Sequence, residues 1–434
     1  MSPQIALLLC IFFIFSLFII SNRHQLRFPA PLWIPLIWVL IMASRPVSLW
    51  LNLGISSVSR EAYLEGSPFD RTIYIIIIAI GLLILTRRKI AWANFLQANK
   101  WIIFLYIYCG ISILWSDYQY TSLKRLIKDC GNLVMILVIL SEPDPLEALR
   151  LIMRRCAYVL IPLSILLINY YPSLGRDYHI HTGEMMVLGV TTHKNALGGL
   201  CFISFLFLFS NLHTMLHNRT TSLDKKDVFV HVILLLLISW LLKLSNSVTP
   251  LLCLILSTSL FILIGLPIIR RNIKYVGIYA FIFVLCFIIL QYVFNLAEVI
   301  IAGVGRDITL TGRTQVWHEL INIGTDPLIG TGYDSFWLAD ISAKFQEKWH
   351  LNQAHNGYLE IYLNLGFIGL FFLTNVIVSA YRKSKLELIS RFENGRFMTA
   401  FLFTVLTYNI TEGIFMGLSL VWFCFLFIAL TYPK

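Results

Sequence analysis

The chain has 434 residues, of which 58% are hydrophobic and only 13% charged, and its mean hydropathy is +0.77. Soluble domains carry about 25% charged residues and have no need of repeated apolar runs approaching 20 residues, which excludes a water-soluble enzyme or binding module. A net charge of +11 would suit nucleic acid on a polar domain, but here the basic residues sit in short loops between apolar runs, as topology determinants do, so no nucleic-acid partner is expected.

In chain order, apolar runs fall near 5–20, 30–43, 72–86, 101–114, 126–141, 156–171, 195–211, 228–244, 248–269, 274–294, 357–380, 397–410 and 413–431. They predict an all-α polytopic membrane protein of about 12–13 transmembrane helices. The opening stretch lacks a basic n-region and a small-residue cleavage site, and reads as a first span rather than a removed signal. The eight cysteines are scattered singly, with no CxxC or Cys/His cluster. Neither a disulfide framework nor a zinc site is expected.

Alternate loops differ in charge. One set holds Arg23, Arg87, Arg88, Arg154, Arg155, Arg270, Arg271, Arg382 and Lys385 among others, and is strongly basic; the other is slightly acidic. The positive-inside rule places the basic set in the cytoplasm and the longest loop outside. The chain therefore divides into N-terminal transmembrane helices (1–294), an extracytoplasmic loop (295–356) and C-terminal transmembrane helices (357–434). That loop interleaves acidic residues with Trp317, Tyr333, Phe336, Trp337, Phe345 and Trp349. Disordered segments are poor in aromatics, so this one is expected to fold against the membrane helices.

Three segments of the loop carry chemistry. Residues 309–324 read as an amphipathic helix with Val316, Trp317, Leu320 and Ile321 as its apolar stripe, Thr311 or Gly312 as cap and Gly324 as stop. Arg313 falls in its first turn, where the helix dipole disfavours a cation, and a bound anion would offset that cost. Arg306 lies seven residues earlier and reaches the same anion if the loop folds back. Guanidinium suits phosphate because its planar donors bind bidentately. Snorkelling to headgroups, or pairing with Glu319 or Asp326, would explain Arg313 equally well. In the second segment, 326–337, Gly330 and Gly332 permit a tight turn. In the third, His355 and Asn356 stand where the loop enters a membrane helix, with Glu360 four residues beyond Asn356. Imidazole is the side chain best matched to proton transfer near neutral pH. Gly366 and Gly369 are expected to let a neighbouring helix approach closely.

Together these segments, TGRTQVW (311–317), DPLIGTGYDSFW (326–337) and AHNGYLEIYLNLGFIG (354–369), resemble the O-antigen ligase and Wzy-type polymerase superfamily, in particular its exopolysaccharide polymerase branch. His355 followed by Gly366 and Gly369 is similar to the family's H-x10-G-x-x-G pattern, and WSDYQYTSLKR (115–125) and GVTTHKNALGG (189–199) are similar to segments of the polymerase branch. The resemblance implies a GT-C-like, metal-independent, inverting membrane glycosyltransferase without cofactor. Its implied setting is the bacterial cytoplasmic (inner) membrane, with the active site on the extracytoplasmic face. Its implied substrates are an undecaprenyl-diphosphate-linked oligosaccharide and an acceptor glycan, with flippase and chain-length regulator proteins as partners.

On this resemblance His355 is the base for the acceptor hydroxyl and Arg313 the ligand of the diphosphate leaving group. Asn356 and Glu360 would orient the imidazole or the sugar, Tyr333, Trp337 and Tyr358 would stack on sugar faces, and His193 and Lys194 would line the same cavity. Many ligases carry a second arginine in a Ser-Arg segment of a membrane helix. The corresponding stretch here, 243–249, has none, which leaves Lys243, Lys194 and Arg306 as candidates. Polymerisation is favoured over ligation onto a lipid A core. The rivals from other classes are a flippase of the same lipid-linked glycan, which would concentrate polar residues within helices, and a membrane O-acyltransferase, whose Asn and His lie apart.

Overall fold

The computed structural model describes residues 1–22, 28–51, 67–178, 183–217, 225–294, 311–338, 345, 347–349, 351 and 353–431. Arg306 lies outside them. Each predicted apolar run coincides with a helix: α1 (Pro3–Asn22), α2 (Trp33–Met42), α3 (Pro68–Thr86), α4 (Lys100–Ser112), α5 (Gln119–Leu140), α6 (Pro145–Tyr170), α7 (Lys194–His217), α8 (Lys225–Ser245), α9 (Val248–Ile264), α10 (Val276–Phe294), then after the loop helix α11 (Thr311–Ile321), α12 (Gly357–Ser390), α13 (Phe392–Thr411) and α14 (Leu420–Leu430). Among the described residues six helices are long and apolar enough to cross a membrane, seven if Trp92–Ala98 and Lys100–Trp115, bent by 81°, form one span. Shorter apolar helices include Val248–Ile264 and Leu420–Leu430. Large apolar side chains such as Phe12, Phe15, Leu83 and Leu236 are exposed on these helices, as they should be where the solvent is lipid.

The chain is a multi-pass, helical membrane protein. It departs from the expected elements in three places. Arg176–Tyr178 and Met185–Val187 pair as a short antiparallel hairpin. The last run begins as helix only at Leu420, because Glu412 to Ser419 leave the helical conformation. The third departure is a break within α12, described below.

The chain forms two compact units. The first comprises Met1–Ser57, Ser67–Lys89 and Val134–Leu254. Within it, the carboxylate of Asp144 caps α6 by accepting from the Glu147 N–H (3.2 Å), and Pro145 occupies the first turn, where its missing N–H costs nothing. The buried Arg45 guanidinium donates to the carbonyls of Leu174, Gly189 and Thr191, satisfying backbone acceptors of an irregular segment that no helix could.

The second unit, mainly Ile90–Leu133 and Ile255–Lys434, is organised around α12. That helix is interrupted at Gly366 (φ 63°, ψ −162°), a conformation open essentially to glycine alone. Two intrahelical hydrogen bonds, Phe367 N–H to Leu363 and Ile368 N–H to Asn364, are thereby lost. The 326–332 segment replaces both of them. Phe367 and Ile368 donate to the carbonyls of Pro327 (2.8 Å) and Leu328 (3.1 Å), while Thr331 and Gly332 donate to those of Leu363 (3.0 Å) and Asn364 (2.8 Å). Tyr108 Oη donates to the remaining carbonyl, Leu365 (3.0 Å). Irregular backbone in a membrane helix is tolerated where protein satisfies it, and here the loop does so bond for bond.

The approach permitted by the glycines is thus of loop to helix. A Cβ on Gly366 would collide with the Leu328 backbone, and one on Gly330 (φ +65°) with the backbone of Asn364 and Leu365. The expected helix–helix approach is corrected accordingly; the nearest atoms to a Cβ on Gly369 belong to Leu365 and Ile361 of α12 itself.

The loop does fold against α12. Val316 and Leu320 of α11 pack with Phe336, Trp337, Phe345 and Ala354 onto Leu359 and Leu363. The stripe is narrower than the sequence suggests, since Ile321 is exposed, and the helix ends at Ile321 rather than at Gly324.

Candidate active site

His355 occupies the one-residue gap between a fixed strap and a fixed helix start. On its N-terminal side, the Ala354 N–H donates to a Glu360 carboxylate oxygen (2.5 Å), and the Ala354 carbonyl accepts from Trp317 Nε1 (2.8 Å). On its C-terminal side, Asn356 caps α12, its Oδ1 accepting from the N–H groups of Tyr358 (3.0 Å) and Leu359 (3.1 Å). Between these clamps His355 takes φ +49°, a left-handed conformation uncommon outside glycine. Such strain persists only where the surroundings over-determine it.

The side chain of His355, 14% exposed, faces Glu412, which is 7% exposed. Glu412 Oε2 stands 3.3 Å from His355 Nδ1. Its other oxygen, Oε1, stands 3.8 Å from a guanidinium nitrogen of Arg313. Arg313 also donates to the carbonyl of Thr411, in the last turn of α13 (Phe392–Thr411). One carboxylate therefore joins the imidazole and the guanidinium that the sequence singles out.

The electrostatics follow from the helix ends. Arg313 is disfavoured by the positive end of α11, but it lies against the negative end of α13 and beside Glu412. The compensating anion expected from the sequence is thus supplied internally. Neither Glu319 nor Asp326 is its partner: Glu319 accepts from Lys348 (2.7 Å) and Trp349 (2.9 Å), which hold its carboxyl below the usual value, and Asp326 accepts from the N–H groups of Leu328 and Ile329. Because a carboxylate only accepts, Nδ1 carries the proton in the His355–Glu412 contact, which leaves Nε2 as the basic nitrogen. The Gln353 amide nitrogen lies 3.3 Å from the same Nδ1, an arrangement that fits this tautomer once the amide's oxygen and nitrogen are exchanged.

The remaining expected residues fall in different places. Glu360 bonds to Trp337 Nε1 (2.8 Å) and Ala354, so it holds the strap rather than the imidazole, and Asn356 is engaged as a helix cap. Tyr333, 2% exposed, donates to Asp129 Oδ2 (3.1 Å); burial beside that carboxylate pushes its phenol well above the usual value, keeping it a neutral donor. Trp337 is edge-on to Phe336 at 5.1 Å and to Phe345 at 6.0 Å. Tyr358 donates to the Leu406 carbonyl (3.0 Å). His193 and Lys194 belong to the first unit, where the His193 ring nitrogen accepts from the Asn195 N–H (3.2 Å) at the start of α7. Among the described residues, no three His, Cys, Asp or Glu side chains are grouped to hold a metal ion.

Two residues that sequence reasoning missed belong to this site. Glu412 is an acid between two apolar runs, and an ionisable group at a membrane helix end is itself a functional signal. Arg125, the last residue of the 115–125 stretch, pairs with Asp334 of the 326–337 segment (3.1 Å), so two of the quoted segments are in contact.

Comparison with known proteins bears on the family. Residues 233–374 match the family model described as O-antigen ligase. The chain is also 26% identical over 321 residues, covering 69% of this chain and 68% of the relative, to the exopolysaccharide production protein ExoQ of Rhizobium meliloti (strain 1021). The resemblance to the O-antigen ligase and Wzy-type superfamily, exopolysaccharide branch, is borne out, and with it a membrane glycan polymerase or ligase. The matched region contains Arg313, His355 and the Gly366 break, whereas Glu412 and Arg125 lie outside it.

Proposed function

We propose that this protein polymerises a polyprenyl-diphosphate-linked oligosaccharide at the extracytoplasmic face of the bacterial inner membrane. The acceptor hydroxyl attacks the anomeric carbon of the lipid-linked sugar, the bond from that carbon to the diphosphate oxygen breaks with inversion, and the diphosphate departs with the electron pair. His355 Nε2 takes the hydroxyl proton. Arg313, with donors left over from Thr411 and Glu412, binds the diphosphate as charge develops on it. Glu412 fixes the tautomer of His355 and stabilises the imidazolium, as a carboxylate does for a catalytic histidine elsewhere. Undecaprenyl diphosphate is the carrier this reading takes. No step is assigned to a metal, since a guanidinium supplies the charge.

The observation that carries the reading is the shared carboxylate: base and cation, 42 positions apart in the chain, meet the two oxygens of Glu412. A flippase gives no reason for a base oriented in this way. Polymerisation rather than ligation to a lipid A core is supported by the likeness to an exopolysaccharide production protein. Purified protein reconstituted with lipid-linked oligosaccharide tests it. Growth of a longer lipid-linked glycan is expected; bilayer crossing of an unextended glycan would identify a transporter.

A further inference from the structure

A cavity of about 200 Å³ lies in the second unit, lined by Arg125, Asp334, Trp337, Gln353, Glu360 and Asn364 among others. Pockets for drug-sized ligands run to about 300–1,000 Å³, so this one has room for a single sugar ring. Its walls combine the planar polar groups that meet ring hydroxyls with the aromatic surfaces that meet the apolar faces of a pyranose; Tyr333 and Phe415 also line it. It lies one side chain away from the base: Gln353 lines the cavity and lies 3.3 Å from His355 Nδ1, and Gly413 lines it from the residue after Glu412. Arg313 is not in its lining, which separates it from the leaving-group end of the centre.

Its charge selects among sugars. The lining holds one cation, Arg125, and two acids, Asp334 and Glu360. Arg125 is already committed to Asp334, through both its carboxylate (3.1 Å) and its backbone carbonyl (3.1 Å). Glu360 has no cation beside it in the lining, and among the described residues its oxygens accept from the neutral donors Trp337 Nε1 and the Ala354 N–H. A sugar bearing its own carboxylate would lose hydration in a site partly withdrawn from water whose one lining cation is already paired. A neutral ring carries no charge to strand there, and its hydroxyls can both donate and accept along the lining.

We propose that this cavity is the subsite for the acceptor's terminal sugar, and that it takes a neutral hexopyranose and rejects a uronic acid. The assignment rests on the polymerase reading for the word acceptor, but the binding it asserts is independent of turnover. Saturation-transfer NMR on the purified full-length protein in detergent, with methyl β-glucopyranoside and methyl β-glucuronoside as probes, tests it. The neutral glycoside is expected to bind, and the uronoside to bind at least tenfold more weakly. Ile361→Trp, which fills the cavity from α12, and Arg125→Met, which removes a wall from α5, should each weaken the neutral glycoside at least tenfold. Their thermal midpoints in detergent, kept near that of the unaltered protein, identify variants that have folded, and Arg125→Met serves should Ile361→Trp fail to fold. Equal binding of the two glycosides, or binding indifferent to a folded cavity variant, overturns the proposal. His355→Ala separates the two readings: retained glycoside binding without chain growth supports both, whereas retained binding with undiminished chain growth overturns the catalytic reading alone.

Discussion

Glu412 Oε2 lies 3.3 Å from His355 Nδ1, at the point where α13 ends and the chain leaves the helix. That contact makes the imidazole a directed base, because it selects which nitrogen holds the proton. The first prediction concerns this carboxylate. Glu412→Gln keeps the shape but removes the charge that favours the imidazolium. Product formation by reconstituted protein should fall about 10²–10⁴-fold, the usual contribution of positioned acid–base catalysis, with the loss in kcat rather than KM. Glu412→Asp should recover part of it.

The second prediction concerns Arg313. Lysine retains the charge but not the fork that reaches Thr411, Glu412 and a diphosphate together. Arg313→Lys should lower kcat about 10²–10³-fold, as loss of a donor to a developing oxyanion does. An unchanged kcat would assign Arg313 to the end of α13 alone.

Asn356 distinguishes a cap from a ligand. Its Oδ1 serves two backbone N–H groups of α12, so Asn356→Ala should cost about 1 kcal/mol of stability, read as a lower thermal midpoint in detergent. Asn356→Asp, which caps equally well, should leave chain growth within a few-fold of normal. A large loss in the Asp variant with stability intact would restore the direct role that the sequence suggested.

The break in α12 is a stability element. Gly366→Ala forces a Cβ into a φ of +63° and against the Leu328 backbone. A residue other than glycine in that conformation alone costs about 1–3 kcal/mol, and displacing the loop breaks the exchanged hydrogen bonds as well. Thermal unfolding should show a loss larger than for Gly324→Ala, where φ is also positive but a Cβ meets nothing within 4 Å.

How much of this was legible in the sequence depended on whether the signal was local. Among the described residues, apolar runs located each of the six helices long enough to cross a membrane, because hydropathy is read from neighbouring residues, and the aromatic loop announced that it would fold. His355 and Arg313 were found because each has an unusual position, one at a membrane entrance and one against a helix dipole. Their common partner was not, because Glu412 joins them across 57 and 99 positions and no spacing rule connects such residues. Asn356 and Glu360 illustrate the converse. Their spacing of four predicts a shared task, but one caps the helix that the other uses to hold Ala354. The Gly366 break was read as a packing glycine, since φ is invisible in the sequence and the exchange of hydrogen bonds with 327–332 is a tertiary event.

The measurement that bears most directly on the central claim is chain growth by His355→Ala in proteoliposomes supplied with lipid-linked oligosaccharide. The account predicts protein inserted in the membrane at normal abundance, with no glycan longer than the starting unit. Polymer made at the unaltered protein's rate would contradict it.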